Sequence, residues 1–182
     1  MIDFNPQDTI ETERLLLRFV DVKDTHDIFT NINSDKEVLT YFIDRYLENE
    51  DDLHLEKRVK IYLEDERYDF SIVLKETGEV IGTILQCSAS SSMFNFSEVG
   101  YAIGKKHWNK GYTTEAMKAM IDFLFKKGVH KVVSSYIVGN DASKRVMEKC
   151  GMIFEGYRKD DVYYHDKYHD LGYYYIINDN HA

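Results

Sequence analysis

The chain has 182 residues, enough for one domain with a substantial core and too few for two domains of ordinary size. Hydrophobic residues make up 43% of the chain, and no apolar run approaches the ~20 residues of a membrane-spanning helix, so we expect a soluble protein with no membrane partner. A formal net charge of −9 argues against a nucleic-acid partner, because binding the phosphate backbone requires a basic surface. The acidic excess mildly favours a cationic substrate, although a solvated surface explains it more simply.

Two features predict a cytoplasmic location. The first six residues, Met-Ile-Asp-Phe-Asn-Pro, lack the basic segment and apolar core of a secretory signal. Cys87 and Cys150 are the only cysteines, which fits a reduced compartment. The only proline is Pro6, and no linker interrupts the sequence, so residues 1–182 are predicted to form one domain.

The first half of the chain predicts one strand, three helices and a β-hairpin, after a loose leader at residues 1–9. The strand covers residues 11–20, which are rich in apolar side chains. The helices are amphipathic segments at residues 24–33, 34–41 and 50–66. The third helix has an inward stripe made of Leu55, Val59, Tyr62 and Leu63. Two β-rich runs, 70–74 and 80–85, flank a glycine turn, and a serine-rich loop follows at 87–95.

The stretch from Val99 to Ala116 predicts a strand, a turn at Gly111 and the start of a helix. The first N–H groups of a helix lack intrahelical partners and the macrodipole is positive there, so such a loop can hold an anion. The order predicts a phosphate-binding loop, the alternative being an ordinary strand-to-helix connection. Glu115 lies in the first turn, where an acid is favourable, and is predicted to be structural. The stripe that faces the core consists of Met117, Met120, Ile121 and Leu124.

A second strand and helix follow this unit. Residues 131–138 predict the strand, and the helix is predicted to lie between Asn140 as N-cap and Gly151 as the residue after its end. Ser143 falls on the apolar stripe of this helix, so its hydroxyl needs a hydrogen-bond partner. The simplest partner is a carbonyl of the same helix.

The tail predicts a strand at residues 153–159 and a tyrosine-rich hairpin at 162–177 that turns at 166–167. Clustered tyrosines suit pocket walls and subunit contacts, although most simply face a neighbour in a sheet. His165, His169 and Asp170 have no supporting metal-ligand spacing elsewhere, so we predict no metal site.

The run Trp108-Asn-Lys-Gly-Tyr-Thr-Thr-Glu-Ala116 resembles the pyrophosphate loop of the GNAT superfamily of acyl-CoA N-acyltransferases. The superfamily pattern is Gln/Arg-x-x-Gly-x-Gly/Ala, in which Trp108, Gly111 and Thr113 take the first position, the glycine and the final small position. The RimJ/RimL-like branch has the variant Trp-Gly-Lys-Gly-Tyr-Ala-Thr-Glu-Ala. In this chain Asn109 replaces the first glycine of that variant.

Two further motifs resemble the same branch. The chain opens with Thr-x-Arg-Leu-x-Leu-Arg at residues 12–18, and later carries Asn-x-x-Ser and Glu-Lys-x-Gly, matched by Asn140, Ser143, Glu148, Lys149 and Gly151. The resemblance covers about residues 11–177. It implies an α/β (α+β) GNAT fold, with a mixed, strongly twisted sheet of six to seven strands flanked by helices. The cofactor would enter where two central strands splay apart.

The resemblance also implies an acetyl-CoA-dependent enzyme that needs no metal, with a cofactor site made largely of main chain. The strand residues that would pair with pantetheine and polarise the thioester are Val99, Tyr101, Ala102 and Ile103. The loop residues that would hold the pyrophosphate are Trp108, Asn109, Lys110, Gly111, Tyr112 and Thr113.

Side chains are implied for the proton transfers. Ser143 lies in the position of the hydroxyl that protonates the leaving sulfur, and Asn140 would orient the cofactor. Glu98 is the first candidate for a base that acts through a water, with Asp160 and Asp161 as second candidates. The alternative for Glu98 is a solvated strand residue, because alternation places it on the other face of the strand from Tyr101.

The acceptor implied by the resemblance is a primary amine, with a protein N-terminal α-amine first and a small cationic amine such as a polyamine or aminoglycoside second. A different class of function is a catalytically silent CoA-binding sensor or scaffold. The retained Ser143 and Gly111 favour the enzyme, because a silent relative would often lose the hydroxyl. The resemblance further suggests a homodimer, with the tyrosine-rich tail as the candidate contact surface.

Overall fold

The fold is taken from a computed structural model, which describes residues 3–88 and 95–178, with the backbone alone at Ser88. A single mixed sheet of eight strands has the order β1-β2-β3-β4-β5-β6-β8-β7. Within the described residues β5 and β6 form the one parallel pair. The strands are β1 Thr9–Glu11, β2 Leu15–Phe19, β3 Asp69–Leu74, β4 Val80–Ser88, β5 Phe96–Ile103, β6 Lys131–Ile137, β7 Ile153–Tyr164 and β8 Lys167–Ile177.

The mixed sheet flanked by helices confirms the predicted fold class, with one more strand than the predicted maximum. The predicted first strand is in fact two, because the chain reverses at residues 12–14 and β1 pairs antiparallel with β2. Most of the predicted serine-rich loop, residues 89–94, lies outside the described residues, as do residues 1–2 of the predicted leader.

Helices cover both faces of the sheet. The helices are α1 Thr25–Ile28, α2 Leu55–Glu64, α3 Tyr112–Lys126 and α4 Asp141–Lys149. On one face α3 and α4 pack on the sheet, and the predicted stripe of α3 is buried, as its spacing requires. On the other face Ile28, Leu55 and Ala102 belong to a second apolar cluster.

The helices between β2 and β3 are shorter than predicted. After α1 the chain makes a π-helical turn at Phe29–Asn33 and a 3₁₀ turn at Val38–Thr40 in place of the second helix. A 3₁₀ turn at Glu50–Leu53 precedes α2, and His54 separates the two because its φ of 46° is left-handed. The prediction that Leu63 belongs to the inward stripe of α2 is wrong. Leu63 lies in the last turn of the helix, which ends at Glu64, and it is 41% exposed.

β7 and β8 form a longer hairpin than the sequence predicted. Both His165 and Asp166 have positive φ and form the turn. β7 continues through the predicted gap at residues 160–161, but its pairing with β8 is irregular there: Asp160 has φ 50°, and the register shifts between Arg158 and Val162. Near the tip, the Tyr164 hydroxyl lies 2.8 Å from the carbonyl oxygen of Leu39 and 2.9 Å from that of Phe42. The hairpin tip is thereby attached to the segment between α1 and α2. None of the helices in the described part of the chain has both the length and the apolar character needed to cross a membrane.

Candidate active site

The central feature of the site is a gap between β5 and β6. These parallel strands pair only where Phe96–Glu98 lies beside Lys131–Val133. Beyond Glu98, β5 keeps its antiparallel pairing with β4 and has no strand partner on its other side. The predicted splaying of two central strands is therefore present in this sheet.

Main-chain groups of β5 face this gap. The carbonyl oxygen of Val99 accepts a hydrogen bond from Ser134 Oγ at 2.8 Å, and the carbonyl oxygen of Ile103 accepts one from Trp108 Nε1 at 2.8 Å. These bonds show that the main-chain groups of Val99 and Ile103 point away from β4 and towards the gap. Tyr101 lies between them, so its N–H and C=O also face the gap, where they pair with no strand of the described chain. Ala102 is the exception among the predicted residues, because its main-chain groups face Thr83 of β4.

The loop from Trp108 to Gly111 ends at the N-terminus of α3. Its backbone turns through two left-handed residues, Asn109 with φ 59° and Gly111 with φ 81°. Gly111 is the N-cap and offers no side chain, and the amides of Tyr112 and Thr113 have no acceptor among the described residues. Unpaired amides at a helix N-terminus suit an anion, and this arrangement fits a pyrophosphate group.

A contact network that the sequence did not predict supports this loop from β2. The Glu115 carboxylate accepts from Thr12 Oγ1 at 2.6 Å, from the Arg14 amide at 2.9 Å and from Arg14 Nε at 2.7 Å. Burial alone would raise the pKa of Glu115, but these hydrogen bonds and the Arg14 charge lower it below its usual value. The only signal in the sequence was the Thr-x-Arg motif, whose partner is about a hundred positions away.

Ser143 and Asn140 stand at the start of α4, on the α3 side of the sheet. Asn140 Oδ1 caps the helix by accepting from the Ser143 amide at 3.1 Å. The Ser143 hydroxyl lies 2.9 Å from the Tyr101 hydroxyl, so its partner is a residue of β5 rather than a carbonyl of its own helix. Burial raises the pKa of Tyr101, and the hydrogen bond from Ser143 lowers it less.

Glu98 lies on the opposite face of β5 from Tyr101, as the alternation predicts. Its Oε1 accepts from Ser135 Oγ at 3.1 Å. It lines a cavity of about 510 Å³ together with Phe96, Lys131, Val133, Glu155, Gly156, Tyr157, Arg158 and Tyr173. The pKa of Tyr173 is raised to about 12 by burial, by its hydrogen bond to Asp161 and by the charge of Glu98.

The second candidates for a base lie on the hairpin, where Asp160 is hydrogen-bonded through its main-chain amide and Asp161 through its carboxylate. The Asp160 amide donates to Asp170 Oδ1 at 3.0 Å, and Asp161 Oδ2 accepts from the Tyr173 hydroxyl at 2.9 Å. His169 Nε2 lies 2.9 Å from the Tyr164 carbonyl oxygen, within the turn itself. In residues 3–88 and 95–178 no cluster of three His, Cys, Asp or Glu side chains has the geometry to hold a metal ion.

Comparison with known proteins identifies the family. The family model described as "Acetyltransferase (GNAT) domain" matches residues 14–153, well over half of the chain. Among curated relatives, the uncharacterized N-acetyltransferase p20 of Bacillus licheniformis is 30% identical over 163 residues, 84% of this chain and 86% of that protein. The [Ribosomal protein uS5]-alanine N-acetyltransferase of Escherichia coli is 28% identical over 92 residues, covering 50% of this chain and 47% of that protein.

Solved structures share the fold. An acetyltransferase (GNAT family) from Bacillus anthracis is 28% identical with a TM-score of 0.81, covering 94% of this chain and 99% of that one. A spermidine N-acetyltransferase from Vibrio cholerae in complex with CoA and spermine is 21% identical with a TM-score of 0.78, covering 92% of this chain and 97% of that one. The chain therefore belongs to the GNAT family and is an acetyl-CoA-dependent N-acetyltransferase.

Proposed function

We propose that the chain transfers an acetyl group from acetyl-CoA to a protein N-terminal α-amine by direct attack in a ternary complex. The observation that carries the proposal is the position of β5 between two different surfaces. Its α3 side has the gap, the Gly111 loop and Ser143, while its other side has Glu98 and the adjoining cavity. Donor and acceptor could therefore approach one strand from opposite faces.

The donor would be held mainly by main chain. The Tyr101 groups that face the gap would pair with the pantetheine arm, together with those of Val99 and the N–H of Ile103. The amides from Asn109 to Thr113 would bind the pyrophosphate at the N-terminus of α3. The structure does not favour Ala102 for this role, because its amide and carbonyl belong to the β4 ladder. Asn140 would act indirectly, since its side chain fixes the first turn of the helix that carries Ser143.

Three chain groups would serve the chemical step. Glu98, through a water, would accept a proton from the ammonium form of the acceptor, and the neutral nitrogen would then attack the thioester carbonyl. The Tyr101 N–H on the gap side would polarise that carbonyl. When the C–S bond breaks, the Ser143 hydroxyl would donate its proton to the sulfur, and the Tyr101 hydroxyl at 2.9 Å would stabilise the resulting oxygen. That oxygen would regain a proton from the nitrogen of the newly formed amide.

The charges around the cavity support an acceptor with a single amine. Lys131 Nζ pairs with Glu155 Oε1 at 2.8 Å, and the Arg158 guanidinium lies 4.2 Å from the centre of the Tyr173 ring. A polyamine with several positive charges would meet both cations, whereas a peptide N-terminus brings one positive charge to Glu98. The partial likeness to a ribosomal-protein-alanine acetyltransferase also favours the peptide. The second candidate, a small cationic amine, is favoured by the likeness of the fold to the spermidine enzyme.

The proposal is tested by measuring thiol release from acetyl-CoA with N-terminal peptides, polyamines and aminoglycosides, and by mass analysis of the product. We expect turnover with a peptide and an added acetyl group on its α-amine. Turnover with polyamines but not with peptides would show that the acceptor is a small cationic amine rather than a protein N-terminus. Binding of acetyl-CoA without release from any member of the panel, or from lysate proteins, would favour a silent CoA-binding module.

The homodimer suggested by the resemblance stays a prediction. The surface to test is the tyrosine-rich tail at residues 162–177, where Tyr163 and Tyr168 are 60% and 64% exposed. Light scattering of the purified chain would give the oligomeric state directly.

A further inference from the structure

Arg14, in the turn between β1 and β2, contacts both the loop and the first turn of α3. Its Nη1 donates to the Lys110 carbonyl oxygen at 3.0 Å, and its Nη2 lies 2.6 Å from Glu115 Oε2. The guanidinium also lies 4.5 Å from the centre of the Tyr112 ring. One side chain thus contacts the residues before and after Gly111.

The bond to Lys110 has a direct consequence for the loop. In a trans peptide unit the C=O and the following N–H point in opposite directions. Since Arg14 holds the Lys110 carbonyl, the Gly111 N–H of the same peptide unit points away from Arg14. It can then join the unpaired amides of Tyr112 and Thr113 at the N-terminus of α3.

The ion pair with Glu115 has a second consequence. A carboxylate in the first turn of α3 occupies the same positive end of the helix dipole that an anionic ligand would use. Here both carboxylate oxygens accept hydrogen bonds from Thr12 and Arg14, in the turn between β1 and β2. Glu115 is therefore kept off the loop amides, and its charge is balanced by Arg14.

We infer that Arg14 is a positioning residue for acetyl-CoA, which orients the Lys110–Gly111 peptide so that the loop amides face the pyrophosphate. The inference rests on the proposed pyrophosphate site. It requires an arginine, because a guanidinium donates to Lys110 and Glu115 at once, whereas a lysine ammonium of similar charge cannot match both geometries. A mere structural tie between β2 and α3 would not distinguish ligands with and without phosphates.

The test compares the binding of two ligands by titration calorimetry: CoA, and pantetheine, which has the thiol arm but no phosphates. For Arg14→Lys and Arg14→Gln we expect the Kd for CoA to rise about tenfold, the value of one charge-assisted hydrogen bond. The Kd for pantetheine should stay within twofold of wild type. Melting temperatures confirm that each variant is folded.

Thr12→Val is the matched control. It removes the hydrogen bonds of Thr12 Oγ1 with the same Glu115 carboxylate and with the Leu15 main chain, but leaves the bond between Arg14 and Lys110. We expect its Kd for CoA to stay within twofold of wild type, even if its melting temperature falls. An equal loss of CoA affinity in Thr12→Val would overturn the inference in favour of a structural tie.

Two other results would separate the inference from the proposed site. If wild type binds CoA and Arg14→Lys binds it equally well, charge alone suffices and the orienting role is wrong. If wild type binds CoA no more tightly than pantetheine, the proposed pyrophosphate site itself is wrong.

Discussion

The hydroxyl groups of Tyr101 and Ser143 lie 2.9 Å apart, although one residue is on β5 and the other on α4. Burial raises the pKa of Tyr101, so its phenol stays protonated across the pH range in which enzymes are assayed. A protonated phenol can donate to Ser143 Oγ, which leaves the serine proton available to a leaving sulfur. The phenol has a single proton, for which Ser143 Oγ at 2.9 Å and the Ser143 carbonyl oxygen at 3.2 Å are both acceptors, so it supports the proposed acid only when it donates to Oγ.

Replacing Ser143 should separate catalysis from binding. For Ser143→Ala we expect kcat to fall roughly 10²-fold, the usual contribution of a general acid, with the Kd for CoA within about threefold of wild type. Steady-state rates at saturating acetyl-CoA and calorimetric binding check the two values. A rise in Kd with kcat unchanged would assign Ser143 to cofactor binding instead.

Removing the Tyr101 hydroxyl should act through the serine. Tyr101→Phe should lower kcat less than Ser143→Ala does, because it weakens the acid without deleting it. The double variant should be no slower than Ser143→Ala, since residues that act as a unit are not additive. Independent, multiplicative losses would show that the two hydroxyls do not cooperate.

The base proposed at Glu98 predicts a particular pH dependence. Glu98→Gln should lower kcat/KM by roughly 10²-fold near neutral pH, where the acceptor amine is protonated. The loss should shrink as the pH rises towards the pKa of the amine, because a neutral amine needs no base. A pH profile of kcat/KM for both proteins measures this.

Glu155→Gln is the control for Glu98. Glu155 lines the same cavity, but its carboxylate is paired with Lys131. It should retain kcat within a few-fold of wild type at every pH. Equal effects of the two substitutions, independent of pH, would indicate that Glu98 contributes only to the charge of the cavity.

The ion pair between Arg18 and Asp24 predicts how stability depends on pH. Burial alone would raise the pKa of Asp24, but hydrogen bonds from Arg18, Ser71 and the Asp21 amide lower it below the usual 3.8. A carboxyl whose pKa is lower in the folded state stabilises fully above its unfolded value and loses this stabilisation as the pH falls through the folded value.

Asp24→Asn should therefore lower the free energy of unfolding by about 2–3 kcal/mol at pH 7, because it leaves the Arg18 charge half-buried and unpaired. Urea unfolding of both proteins at pH 7 and at pH 3 measures the difference, which should be smaller at pH 3. Asp122→Asn, at an exposed position of α3, serves as control and should stay within about 0.5 kcal/mol of wild type. A difference that grows on acidification would contradict the assigned pKa direction.

Structural features that depend on residues close together in the sequence are predictable here, whereas features that depend on contacts between distant residues are not. The stripe of α3 and the N-cap at Asn140 follow from spacing and from neighbouring residues, and both are present. Residues 25–33 are helical as predicted, but their second half is a π-helical turn in which Asn31 donates to the Val80 carbonyl at 2.8 Å. The helix predicted at residues 34–41 is wrong, since only a 3₁₀ turn at Val38–Thr40 is present.

The same limit applies within the candidate site. Alternation placed Glu98 and Tyr101 on opposite faces, since that rule is local to one strand. The contact of Ser143 with Tyr101 and that of Arg14 with Glu115 each join residues far apart in sequence. No periodicity reports such pairs. A motif can mark both members, as the Thr-x-Arg and Gly-Tyr-Thr-Thr-Glu motifs do, without showing that they meet.

The two left-handed residues of the loop predict a loss of stability and CoA binding when Gly111 is replaced, and little change when Asn109 is replaced by glycine. Gly111 has φ 81°, where a side chain is strained by about 1–2 kcal/mol, while a Cβ there would meet only Arg14 Nη2 at an ordinary 3.5 Å. Gly111→Ala should therefore lower the melting temperature by a few degrees through backbone strain, and should weaken CoA binding as the loop amides turn.

Asn109→Gly provides the comparison, because Asn109 has φ 59° and asparagine tolerates this region better than most residues. Glycine at this position would relieve the small backbone strain, but it would also give the unfolded chain more conformational freedom. Because the two effects oppose each other, the free energy of unfolding should change by less than about 1 kcal/mol. CoA affinity should stay within twofold of wild type. If Asn109→Gly weakened CoA binding as much as Gly111→Ala, the asparagine side chain would have to contact the ligand, and the view of this loop as a main-chain site would need to be revised.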